Sequence, residues 1–122
     1  MNERRRILMV ESNWGYARLL TGMIQEILPE MVVHVVAKGT QAVIESTRTR
    51  YCVAILDLDE GIEETLEAAM TIRRQTPETK VYLLATPNIP DDILSRLQGA
   101  EISVIEKPFR AEELQHFIET HI

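Results

Sequence analysis

Cysteine is nearly absent: Cys52 stands alone in 122 residues, so the chain can form neither an internal disulfide nor a CxxC metal or redox site. Long apolar runs are missing too, and none approaches the roughly 20 residues of a membrane-spanning helix. Positive charge is in deficit, with 13 lysines and arginines against 19 carboxylates and a net charge of −6. That balance excludes a sequence-independent grip on nucleic acid, which needs a basic face. Arg4-Arg5-Arg6 carries the charge of a signal peptide's start, but Glu11, Asn13 and Arg18 interrupt the apolar stretch that should follow. There is no internal linker and no low-complexity tract. What remains is a hydrophobic content of 45% and a charged content of 26%, those of an ordinary globular protein. The expectation is one cytoplasmic domain spanning residues 1–122, with no membrane contact.

The chain is organised around Cys52 to Leu56, an unbroken apolar run followed at once by Asp57, Asp59 and Glu60. A short continuous run bounded by turn signals suits a strand buried on both faces of a parallel sheet. Asp57 then falls at the carboxyl end of a central strand, where open α/β sheets place their ligands.

Other segments repeat the theme. Ile7 to Val10, Met31 to Ala37, Val81 to Ala85 and Ile102 to Ile105 read as four more strands. Between them lie helical patterns: Ala17, Leu20, Met23 or Ile24, and Ile27 before Pro29; Gly39 to Arg48; Ile62, Leu66, Ala69 and Met70; and Ile93, Leu94 and Leu97 before Gly99. Leu114, Phe117 and Ile118 mark a last helix. Five strands alternating with five helices predict an α/β fold with helices on both faces of a parallel sheet. Right-handed crossovers leave the flavodoxin-like (βα)5 order 2-1-3-4-5 as the expected topology.

In that order the first and third strands are neighbours, so Glu11, Ser12 and Asp57 share one crevice. The fourth and fifth strands bring Ala85-Thr86 and Lys107 to the same rim. Carboxylates, a hydroxyl and an ammonium around one pocket suit a divalent cation together with a phosphoryl group.

Three segments in register carry a resemblance: Ile7 to Asn13 with its acidic strand end, Val53 to Asp57, and Lys107-Pro108-Phe109 preceded by Gly99-Ala100-Glu101. Over its whole length the sequence resembles the CheY-like receiver domain of two-component response regulators. The resemblance implies a signalling module rather than an enzyme. It assigns Asp57 as phosphoacceptor, attacking a phosphohistidine on a sensor kinase or phosphotransfer protein. Lys107 would contact the phosphoryl group and Thr86 would supply the hydroxyl that follows it. Mg²⁺, weakly held, would be bound by Glu11, Ser12, Asp57 and the Asp59 carbonyl. Output would pass to an effector, or to a second copy of the chain, through the face made by the fourth helix, fifth strand and fifth helix.

Four departures from the family pattern make the chain an atypical member. Ser12 stands where a second acid normally ligates Mg²⁺, and Asp59 or Glu60 is the available substitute. Ala85 occupies the switch-hydroxyl position, with Thr86 one residue later. Val104 replaces an aromatic residue, and Asp59-Glu60-Gly61-Ile62 lacks a proline.

Two alternatives stay open: a pseudo-receiver that binds partners without phosphorylation, and a flavodoxin-like cofactor domain. The latter lacks a Gly/Ser/Thr-rich phosphate loop after the first strand. Elsewhere, Cys52 reads as a small buried hydrophobe. Ser12 and Asn13 compete to cap the first helix. His34, His116 and His121 share no metal-binding spacing.

Overall fold

The computed structural model describes residues 5–121 of the chain. Arg4 and the side chain of His121, both named above, lie outside the described residues. Five parallel strands, β1 (Arg6–Val10), β2 (Val32–Val36), β3 (Val53–Asp57), β4 (Lys80–Ala85) and β5 (Ser103–Glu106), form one sheet. Their order is β2-β1-β3-β4-β5, as the sequence predicts. Between and after them come α1 (Trp14–Ile27), α2 (Gly39–Arg48), α3 (Ile62–Gln75), α4 (Asp91–Gly99) and α5 (Ala111–His121).

Strand side chains alternate between faces, and each face meets its own helices. Ile7, Met9, Val53, Ile55, Tyr82 and Leu84 pack with Ala17, Leu20 and Ile24 of α1 and Leu114 and Ile118 of α5. Leu8, Val10, Ala54, Leu56, Val81, Leu83 and Ala85 pack with Ala42 of α2, Leu66, Ala69 and Ile72 of α3, and Ile93 and Leu97 of α4. The central strand β3 is buried throughout, which explains why it reads as a continuous apolar run rather than an alternating one.

Gly39 allows α2 to come close to α3: a Cβ there would lie 2.8 Å from Ala68 Cβ and 3.3 Å from the Glu64 carbonyl oxygen. Asn13 caps α1, its side chain accepting from Tyr16 N–H at 3.0 Å. This decides the capping competition against Ser12. The strand bounds differ from the expected ones by a residue or so. The difference that counts is at β3, where Asp57 still pairs in register with Leu84. The acid is therefore held on the last rung of the ladder rather than in the loop beyond it.

Candidate functional site

The site lies at the carboxyl edge of β1, β3, β4 and β5, in a cleft of about 670 Å³. At the end of β1, the Glu11 N–H bonds to the Val36 carbonyl at 3.0 Å, so the residue continues the ladder and its side chain is drawn inside. It is only 1% exposed. Glu11 Oε2 accepts from Asn13 N–H at 3.0 Å, whereas Oε1 is buried and meets no donor. Burial, with the Asp57 and Glu60 carboxylates close by, pushes the Glu11 carboxyl up from 4.5 to about 9.

Asp57 is 4% exposed. Its Oδ1 accepts from Asp59 N–H at 3.0 Å, and its Oδ2 accepts from Lys107 Nζ at 2.7 Å. Lys107 reaches it from the loop after β5, where the Lys107–Pro108 peptide is cis and Lys107 N–H bonds to the Ala85 carbonyl at 2.8 Å. Its ammonium also bonds Asp59 Oδ2 at 3.1 Å and lies 5.1 Å from the centre of the Tyr16 ring. Burial alone would lower the lysine's pKa, but the bonds to Asp57 and Asp59 outweigh it and the net shift is upward.

Asp59 and Glu60 share a one-turn 3-10 helix, Leu58–Glu60, and diverge from it. The Asp59 carboxylate turns towards β4 and β5, accepting from Thr86 N–H at 3.2 Å and from Thr86 Oγ1 at 3.2 Å. Glu60 turns towards β1, where Ser12 Oγ donates to Glu60 Oε2 at 2.5 Å. The neighbouring Glu11 and then Ser12 hold the Glu60 carboxyl below its usual range.

The structure gathers Glu11, Asp57, Asp59, Glu60, Thr86 and Lys107 around the cleft, whereas Ser12 and Ala85 do not line it. Thr86 presents both its amide and its hydroxyl to the cleft, while Ala85 is buried against the α3 and α4 side of the sheet. Ser12 is exposed and spends its hydroxyl on Glu60. Tyr16 is a cleft residue that the sequence pattern does not single out. Its signal is Asn13: a cap there fixes residue 16 in the first turn, next to the strand end.

One oxygen each of Glu11, Asp57 and Glu60 lie within 4.8 Å of one another. Such a donor set is the hard, anionic kind that a magnesium-like cation takes. The buried Oε1 of Glu11, with no donor, gives the independent indication that the residues fit a cation, because a buried polar atom is rarely left unpaired. The bond from Ser12 Oγ turns Glu60 towards this group.

No family model matches the sequence, and no curated protein does. Solved structures do match. The chemotaxis protein CheY4 of Vibrio cholerae superposes with a TM-score of 0.82 at 19% identity, over 98% of this chain and 100% of that one. The receiver domain of the sensor histidine kinase PA1611 of Pseudomonas aeruginosa PAO1, with magnesium coordinated in its active site cleft, gives 0.81 at 26% identity, over 98% of each chain. The response regulator TrrA of Thermotoga maritima, in complex with Mg²⁺ and BeF, gives 0.79 at 24% identity, over 97% and 99%. The chain has the fold of the CheY-like response regulator receiver domains and is a divergent version of it. Among the described residues, no helix is long and apolar enough to cross a membrane.

Proposed function

We propose that the domain accepts a phosphoryl group on Asp57 from a phosphohistidine of a sensor kinase or phosphotransfer protein, with Mg²⁺ held by Glu11, Asp57 and Glu60. The observation that carries this reading is the 2.7 Å contact of Lys107 Nζ with Asp57 Oδ2, in a cleft that also holds the unpaired Glu11 oxygen. In the transfer, a carboxylate oxygen of Asp57 forms the new P–O bond as the P–N bond of the phosphohistidine breaks. The imidazole leaves with that electron pair, neutral because its other nitrogen carries a proton. Chemistry of this kind asks the protein for positioning and charge compensation rather than covalent help.

Each side chain has a part in that. The ladder pairing of Asp57 with Leu84 fixes the nucleophile, and burial strips it of water. Lys107 offers a compact cation to phosphoryl oxygens, steadied by the Tyr16 ring beneath it. Thr86 can donate from both N–H and Oγ1. Bound Mg²⁺ would offset the negative charge of the carboxylates and of the phosphoryl oxygens. The magnesium in the PA1611 receiver and TrrA structures supports this part of the reading. On this reading the output surface is the α4–β5–α5 face, met by an effector or by a second copy of the chain.

Trp14 is 58% exposed at the start of α1, beside the cleft, and serves as a fluorescence reporter. Beryllofluoride with Mg²⁺ should change its emission saturably, and Asp57→Asn should abolish the change. A response that survives Asp57→Asn contradicts the assignment.

A further inference from the structure

We infer that the Asp59 carboxylate is the resident occupant of the phosphoryl position, holding the donors that a phosphoryl group on Asp57 would need. The inference rests on the phosphoacceptor reading above and names the residue that controls access to that site. Three contacts define the occupancy. Lys107 Nζ reaches Asp59 Oδ2 at 3.1 Å, Thr86 N–H reaches the same oxygen at 3.2 Å, and Thr86 Oγ1 reaches Oδ1 at 3.2 Å. The donors come from two different loops, after β4 and after β5, and converge on one carboxylate. Convergence of this kind is what a bound oxyanion produces.

An ordinary surface ion pair is the plainer account, and the geometry goes against it. Lys107 is already paired with Asp57 at 2.7 Å, so its second bond to Asp59 is not needed to neutralise it. Nor is the Thr86 amide turned to solvent; it is spent on Asp59. The backbone sets up this arrangement. Asp57 Oδ1 accepts from Asp59 N–H, and the tight turn that results directs the Asp59 side chain across the cleft rather than outward. The side chain is 37% exposed at the cleft mouth, so it can swing out when a stronger anion competes.

Two consequences follow. In the unphosphorylated protein the Thr86 loop is already drawn to Lys107, the arrangement a phosphoryl group would otherwise impose. Phosphoryl transfer must also displace Asp59, so the carboxylate lowers the site's affinity for phosphoryl analogues.

Asp59→Ala and the milder Asp59→Asn, compared with wild type by amide and lysine NMR and by beryllofluoride titration with Mg²⁺, test this. Without ligand, the Thr86 amide and Lys107 signals should move in Asp59→Ala. Beryllofluoride should then bind about tenfold tighter or more than to wild type, as expected for removing a competing charge-assisted contact. On saturation, the Thr86 signal should return towards its wild-type, ligand-free position. Unmoved signals, or an affinity no better than wild type, overturn the inference while leaving Asp57 as acceptor. If neither Asp59→Ala nor wild type takes beryllofluoride, the phosphoacceptor reading itself fails, and the inference with it.

Discussion

Ser12 donates its hydroxyl to Glu60 across 2.5 Å, joining the end of β1 to the 3-10 turn after β3. The resemblance implies a metal-ligating acid at the serine's position; its hydroxyl instead steadies an acid that follows the neighbouring strand β3. Glu60 therefore lies beside Glu11 and Asp57, with one oxygen of each within 4.8 Å of the others.

Glu60→Gln should weaken Mg²⁺ binding about tenfold or more, because one unit charge some 4 Å away is worth several kcal/mol even at an effective dielectric near 20. Ser12→Asp in the same background should recover part of the loss by returning an acid to β1. Titration followed by Trp14 fluorescence measures both. An affinity unchanged by Glu60→Gln places the cation elsewhere.

Lys107→Ala removes the cation that partners Asp57 and Asp59, whose carboxylates then face each other uncompensated. In the absence of metal this should cost about 3 kcal/mol, the lower end of what breaking a buried pair costs. The fold should persist, since the aliphatic stem contributes little to either core. Urea denaturation gives the stability, and beryllofluoride titration should show the response gone. A variant that still responds contradicts the role given to Lys107.

Glu11 links stability to pH. Its carboxyl is raised from 4.5 to about 9 in the fold, so between those values the unfolded chain binds fewer protons than the folded one. Stability from this group is therefore full below the unfolded value and is lost as pH rises towards the folded value. Glu11→Gln keeps the shape of the protonated acid but does not titrate. In metal-free protein, wild type should lose stability relative to Glu11→Gln between about pH 5 and about pH 8. Parallel urea curves at the two pH values mean that Glu11 ionises normally.

Coupling from the cleft to the α4–β5–α5 face should be weak. Val104 is packed against the cluster that holds Ile93 and Leu97, with no ring to reposition, and the Thr86 hydroxyl is already drawn towards Lys107 through Asp59, leaving it little distance to travel. A ligand shifts an equilibrium only by its differential affinity for the two states, here expected below about 1 kcal/mol against the usual 1 to 3. Amide shifts on adding beryllofluoride and Mg²⁺ should be confined to the loops around Asp57. Shifts that spread through Ile93 to Leu97 and through β5 contradict this.

The fold was legible because each strand is either a continuous apolar run, as in Cys52 to Leu56, or a β-branched one, as in Val32 to Val36. The helices between them carry apolar residues at helical spacing. Asp57 and Lys107 were legible for the same reason, since strand ends in this topology converge whatever the loops do. What lay beyond the pattern was the direction taken by adjacent side chains in a tight turn. Asp59 and Glu60 are both acids next to the acceptor, and the turn closed by Asp59 N–H on Asp57 Oδ1, together with the bonds from Thr86 and Ser12, sends one to Thr86 and the other to Ser12. Tyr16 escaped because its place beneath Lys107 depends on Asn13, not Ser12, capping α1.

Every role proposed at the cleft depends on Asp57 as phosphoacceptor. Intact-mass analysis after incubation with acetyl phosphate tests it most directly, with and without Mg²⁺, in wild type, Asp57→Asn and Asp59→Ala. The expected result is a gain of one phosphoryl group that requires Mg²⁺, is absent in Asp57→Asn and is greater in Asp59→Ala than in wild type. No gain in either wild type or Asp59→Ala, or a gain that survives Asp57→Asn, contradicts it.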